Sequence, residues 1–236
     1  MPRLIARLTL AAATTAIALT SLAAWAEPGY LLVIGRTLDR QKVMAYSATL
    51  PPIYAESGGK YIGIGRPGGG VTCLHGLCQG RSVVVATWAD VKAVTQFWWG
   101  EKYRKVVPLR DGAGVFTVVG ITGVDGVTAY PGGALLIATA TGNDDADLKK
   151  WTDAAVSSGA RLLSPLTTTA VAPLEGDALY SRVALLSFDS KDKRDAYAAG
   201  GLTQEFAKKA LGSTLIAIVA VDAPPPLATV PATTKN

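Results

Sequence analysis

The chain has 236 residues, 49% of them hydrophobic and 17% charged, with 25 glycines and a formal net charge of +5. That composition excludes an intrinsically disordered chain, which would be poorer in apolar residues and richer in charge. The length allows one large domain or two of about 100 residues. A sequence pI near 9.2 raises nucleic acid as a partner only until the N-terminal segment is taken into account.

Residues 1–26 read as a secretory signal peptide. Arg3 and Arg7 form its positive start, Leu8 to Leu22 carries no charge, and Ala24-Trp25-Ala26 fits the small-x-small cleavage rule, so the mature chain begins at Glu27. The competing reading, an uncleaved anchor, is disfavoured because the apolar run is short and diluted by four threonines and a serine. No later segment is long and apolar enough to span a bilayer, so the expected product is periplasmic or secreted, with no stable membrane insertion after cleavage. Loss of Arg3 and Arg7 leaves 21 of the 23 basic residues against 18 acidic ones, a net of +3. Those charges are scattered, with Lys102, Arg104 and Lys105 the only tight cluster in the first half, which argues against nucleic-acid binding.

The mature chain then runs through one programme twice. Tyr30 to Gly35 is a strand. Asp39 to Ser57 is a helix with Val43, Tyr46, Leu50 and Tyr54 at spacings of three and four, ended by Gly58-Gly59. Lys60 to Arg66 is a second strand, a Gly-rich loop follows, and Arg81 to Trp88 is a third. Asp90 opens a helix with Val91, Val94, Phe97 and Trp98 on one face, and Val115 to Ile121 closes the unit. In the second half Ala134 to Ala140 is a strand, Asp145 to Ser158 a helix ended by Gly159, and Arg161 to Leu166 extended. Tyr180 to Phe188 is a strand, Lys191 to Ala199 and Thr203 to Leu211 are helical, and Thr214 to Val221 is the last strand. An offset of 100 pairs Val83 with Val183, Thr87 with Ser187, Trp88 with Phe188, Phe97 with Tyr197 and Gly100 with Gly200.

These patterns predict an α+β fold. It consists of two ferredoxin-like βαββαβ units, residues 27–122 and 134–222, packed sheet to sheet as an intramolecular dimeric α/β barrel. Pairing the two sheets hides the face that each unit alone would leave bare, so the expected species is a monomer with pseudo-dimeric architecture. Residues 123–133, ending in Tyr130-Pro131-Gly132-Gly133, form the linker, and residues 223–236, with three consecutive prolines, form a disordered tail.

The first half resembles the domain-of-unknown-function 1330 family of the dimeric α/β-barrel group. The resemblance rests on Tyr30-Leu-Leu-Val, Tyr46, Pro51-Pro52-Ile53, Gly58-Gly59, the strand ending in Trp88, Phe97, Tyr103 and Pro108-Leu109-Arg110. It covers residues 30–122. The second half looks like a diverged copy without the Pro-Pro pair or an equivalent of Arg110. Where the family commonly has His-Gly-Gly this chain has Ser57-Gly58-Gly59, so any role of that histidine is missing here. The resemblance implies a fold and no established activity. Related barrels include cofactor-free monooxygenases, lactone isomerases and haem-handling proteins.

Cys73 and Cys78, the only cysteines, are expected to form a disulfide in an exported chain. A metal site made of these thiolates and His75 and a redox-active pair are the less favoured readings, and no metal or cofactor is expected. Gly63-Ile-Gly-Arg-Pro-Gly68 satisfies a dinucleotide-binding motif by letter, but Gly69-Gly70-Val71-Thr72 cannot continue as the helix that mechanism needs. No Gly-x-Ser-x-Gly elbow supports a serine triad. Asp144, Asp145, Asp147, Asp39 and Asp90 read as helix-capping acids.

What remains is a set of aromatics and one arginine: Tyr46, Tyr54, Tyr61, Trp88, Phe97, Trp98, Trp99, Tyr103 and Arg110. Trp98 and Trp99 cannot both face the core. Tyr46, Tyr61, Tyr103 and Arg110 are the candidate ligand-binding residues, with Arg110 placed to receive the carboxylate of a small apolar or aromatic acid. The favoured reading of the set is nevertheless structural, with Trp88 and Phe97 as ordinary core and Arg110 paired with a structural acid, since core aromatics are commoner than ligand cages. The leading functional reading is a small-molecule-binding or accessory protein. A cofactor-free oxygenase or isomerase with a tyrosine or carboxylate as acid/base is the second reading, and a structural partner-binding module the third.

Overall fold

The computed structural model describes residues 27–142, 146–177, 179–211 and 214–225. The predicted leader, Asp144, Asp145 and the tail beyond residue 225 lie outside them. The first half contains β1 (Gly29–Thr37), α1 (Arg40–Glu56), β2 (Lys60–Pro67), β3 (Gly70–Gly76), β4 (Ser82–Trp88), α2 (Val91–Trp99), α3 (Glu101–Val106), a 3-10 turn (Val107–Arg110) and β5 (Gly114–Thr122). The second contains β6 (Ala134–Ala140), α4 (Ala146–Ser157), β7 (Arg161–Leu162), a short 3-10 turn (Thr168–Ala170), β8 (Val171–Glu175), β9 (Arg182–Phe188), α5 (Lys191–Ala199), α6 (Gly201–Ala210) and β10 (Leu215–Val221). No helix among the described residues is long and apolar enough to cross a membrane.

Period-two alternation sorts each strand's side chains between two faces. Tyr30, Leu32, Ile34, Val83, Val85, Val119 and Ile121 share a core with Leu135, Ile137, Val183, Leu185, Ala217, Val219 and Val221 of the second half. On the outer face Leu31, Ala86, Trp88 and Val118 pack with α1, α2 and α3, while Leu136, Ala184, Leu186 and Ile218 pack with α4, α5 and α6. β6 and β9 are therefore buried on both faces along their whole length, which explains why they read as continuous apolar runs.

The strands form one curled ten-stranded sheet in the order β7-β9-β6-β10-β3-β2-β4-β1-β5-β8. The sequence reading expects two separate sheets, and two strands it takes for loop account for the difference. β3, inside the supposed Gly-rich loop, pairs antiparallel with β10 of the other half, Ala217 opposite Gly76 and Ile218 opposite His75. β8, in the corresponding connection of the second half, pairs antiparallel with β5, Val118 opposite Glu175. Each half thus lends a strand to the other. The Gly63–Gly68 run forms part of β2 and a tight turn in which the backbones of Arg66 and Gly69 bond each other, with no helix behind it.

Two glycines mark the ends of the lent strands. Gly76 has φ +79°, and a Cβ there would sit 2.1 Å from the Ile216 carbonyl oxygen. Gly176 has φ +71°, and its Cβ would sit 2.3 Å from the Phe116 carbonyl oxygen. Both the glycines and the carbonyls they face stand 100 residues apart.

The expected extension from Arg161 to Leu166 is cut short at Leu162 because a side chain takes over the pairing. Ser164 Oγ donates to the Val183 carbonyl at 2.7 Å and accepts from the Leu185 N–H at 2.9 Å. The helix expected from Thr203 starts two residues earlier, and Glu101 to Arg110, unassigned from sequence, forms α3 and the 3-10 turn. Cys73 and Cys78 are joined in a disulfide that ties β3 to the segment entering β4. Both thiols are thereby removed from any metal-ligand set with His75.

Candidate functional site

α1 begins where the Asp39 side chain accepts from the Lys42 N–H and ends at Ser57, with Gly58 at φ +77°. Only Leu50 and Tyr54 of its residues are buried. Pro51 and Pro52 lie inside it, so the carbonyls of Ser47 and Ala48 lose their usual helical donors. A helix with so narrow an apolar contact cannot close down on the sheet. Beneath it lies a cavity of about 250 Å³. Val33, Ile64, Val84 and Val118 form its floor, Tyr46, Leu50 and Tyr54 its roof, and Trp98, Tyr103, Arg110 and Phe116 part of its walls. The volume exceeds the ~150 Å³ that suffices in a protein interior to hold benzene.

All four candidate residues, Tyr46, Tyr61, Tyr103 and Arg110, line this one cavity. The Tyr46 and Tyr103 hydroxyls are 2.7 Å apart. Tyr61 stacks on Tyr54 with centroids 4.4 Å apart. Trp98 is buried against the cavity while Trp99 is 56% exposed, with Arg104 over its ring, so the adjacent tryptophans separate as helical geometry requires. Trp88 and Phe97 pack in the outer core and do not line the cavity. Ser57 also lies outside it, its Oγ accepting from Trp88 Nε1 at 3.0 Å.

Arg110 takes a structural acid as its partner. It is 8% exposed, and its guanidinium lies over the rings of Phe116, Tyr46 and Trp98 at 4.9, 5.4 and 5.9 Å. Its two terminal nitrogens already bond a carboxylate, that of Glu175 on β8, at 2.7 and 2.6 Å. Burial is the largest single influence and disfavours the arginine's charge, but the Glu175 hydrogen bonds together with the electrostatic effects of Tyr103, Tyr46 and Glu175 outweigh it and hold the guanidinium protonated. The fork expected to receive a ligand acid is filled from within the chain, by a residue of the other half. Sequence reasoning missed Glu175 because nothing local connects it to Arg110; the two meet only through the strand that β8 lends to β5.

Among the described residues the lining contains no Asp, Glu, His, Lys or Cys. Burial raises the pKa of each of its four tyrosines, to about 12 for Tyr61. They are neutral hydrogen-bond donors at physiological pH. A phenol that the fold keeps neutral contributes no pH dependence below its ordinary pKa of 10.0 and costs stability as pH rises from there toward 12, because the unfolded chain ionises first. In an alkaline titration followed by near-ultraviolet absorbance and circular dichroism together, these phenols are expected to ionise only as the fold is lost. Ionisation near pH 10 with the fold intact would contradict their burial.

The second half holds a buried arginine and a ring stack in its own layers. Ser82 lines the cavity, and the residue 100 positions on is Arg182, 2% exposed, which donates to the Gly142 carbonyl. There Trp151 stacks on Phe206 and its Nε1 donates to Thr203 Oγ1 at 3.0 Å.

Fold and site together define a mixed α+β protein with a curled ten-stranded sheet and an apolar, tyrosine-rimmed cavity under one helix of its first half. That half, residues 28–124, matches the family model described as Domain of unknown function (DUF1330). No curated protein matches the chain. Among solved structures it is similar to a putative monooxygenase from Lactobacillus acidophilus NCFM, with 14% identity, 84% of this chain and 93% of that one covered, and a TM-score of 0.46. A putative monooxygenase from Fusobacterium nucleatum gives 9% identity over 84% and 93% of the two chains, with a TM-score of 0.45. An anthrone oxidase-like protein gives 13% identity over 86% and 96%, with a TM-score of 0.42.

Proposed function

We propose that this is an exported, monomeric small-molecule-binding protein made of two fused split-βαβ units, with its binding site under α1. The observation that carries the reading is the 250 Å³ cavity at which Tyr46, Tyr61, Tyr103 and Arg110 converge. Its apolar floor suits a ligand of one or two rings, and its hydroxyls suit an oxygen acceptor on that ligand. The strand order β2-β4-β1-β5 in one half and β7-β9-β6-β10 in the other supports the two-unit architecture, as does the matched pair Gly76 and Gly176. The disulfide supports an oxidising compartment.

Binding is favoured over acid/base catalysis because the lining supplies donors and no side chain that takes up or releases a proton near neutral pH. A purely structural module would leave the void without a purpose. Native mass spectrometry of protein purified from the periplasm is expected to show a bound small molecule on the wild type. Val84→Phe, which fills the floor, should lose it and should bind added aromatic probes at least about tenfold more weakly. Equal probe binding by the folded variant would move the site elsewhere.

A further inference from the structure

The Arg110–Glu175 pair stands at the wall of the cavity, and its two members are placed differently. Arg110 is a lining residue enclosed by three aromatic rings that also line the cavity, whereas Glu175 is not among the lining residues and is 30% exposed. The carboxylate therefore holds the guanidinium from its outer side. We propose that Glu175 is a specificity-determining residue: by occupying both terminal nitrogens of Arg110, it makes the cavity accept neutral aromatic ligands and reject carboxylates. This rests on the ligand-binding reading above.

The electrostatic argument is direct. A carboxylate entering the cavity would bring a second negative charge to a guanidinium already neutralised, in a site where water screens poorly. It could reach only the N–H groups that Glu175 leaves, on a guanidinium whose charge is already balanced and with a second carboxylate close by, and that is costly. A neutral hydroxyl or carbonyl meets no such obstacle. The Tyr46–Tyr103 bond uses one of the pair's two hydroxyl protons and leaves the other to donate. The second half of the chain, which has Arg182 where the first has Ser82 at the cavity, would then act on the site through the one strand it lends.

The test is calorimetric titration of the full mature chain at neutral pH with two ring systems of equal size, 2-naphthol and 2-naphthoate. Wild type is expected to prefer 2-naphthol by about tenfold or more, and Glu175→Gln to narrow or invert that ratio. Glu175→Asp, which keeps the charge, should restore a preference for 2-naphthol. An unchanged ratio in Glu175→Gln, or equal binding of both probes by wild type, overturns the proposal while leaving the cavity a binding site. Absence of binding by either probe overturns the ligand-binding reading along with it. Should Glu175→Gln be too unstable to titrate, the double variant Arg110→Met/Glu175→Leu has no guanidinium to release. A preference for 2-naphthol there supports the proposal, and a shift toward 2-naphthoate overturns it.

Discussion

Gly176→Ala is expected to destabilise the protein by about 3 kcal/mol and to lower the melting temperature by about 10 °C. Two effects combine. The φ of +71° disfavours any Cβ, and that Cβ would stand 2.3 Å from the Phe116 carbonyl oxygen, a backbone atom on the strand that β8 joins. The carbonyl can retreat only by opening the β5–β8 pair. Gly76→Ala should behave alike, for its Cβ would meet the Ile216 carbonyl oxygen at 2.1 Å where β3 joins β10. Gly58 supplies the control. Its φ is +77° but nothing lies within 4 Å of the added Cβ, so Gly58→Ala carries only backbone strain, about 1 kcal/mol. Thermal melts of the three variants separate the effects. A Gly176→Ala melt no lower than that of Gly58→Ala would show that the lent strand is not held as described.

The second large effect concerns the cross-half ion pair. Glu175→Ala leaves a guanidinium that is 8% exposed without its carboxylate partner, at a cost of about 2–3 kcal/mol; the 30% exposure of Glu175 keeps this below the figure for a fully buried pair. Arg110→Met alone should cost less, because the freed carboxylate can turn to solvent. Arg110→Met/Glu175→Leu should recover most of the loss, since apolar groups of similar volume suit a site walled by Phe116, Tyr46 and Trp98. Urea denaturation of wild type, Arg110→Met, Glu175→Leu and the double variant forms a double-mutant cycle, and strictly additive losses would mean that the pair is not coupled.

How legible these features are from sequence depends on how local their causes are. The caps at Asp39 and Asp90 and the alternation of β1 and β4 are written in neighbouring residues and can be read directly. A helix period and a strand period likewise place Tyr46 and Tyr61, whereas Tyr103 and Arg110 lie in α3 and the turn after it, which no pattern in the sequence marks. β3 and β8 are different. Gly70-Val-Thr-Cys-Leu-His-Gly76 and Val171-Ala-Pro-Leu-Glu175 are rich in residues that strands avoid, and each becomes a strand only because the other half presents an unfilled edge. Pro173 is tolerated because β8 is the outermost strand beside β5. Glu175 was invisible for the same reason, and with it the true partner of Arg110. The offset of 100 linking Gly76 to Gly176 was available, but a repeated glycine acquires meaning only once a carbonyl is seen opposite it.

The place of β10 in the sheet has a kinetic consequence. It is the last strand among the described residues, yet it lies in the interior of the sheet between β6 and β3. Until it arrives, β6 and β3 each keep an open edge, and the two halves have only the edge between β5 and β8 to join them. The halves are therefore expected to fold together in one late, cooperative step rather than one after the other, and to do so slowly, because the pairing that completes the sheet spans most of the chain.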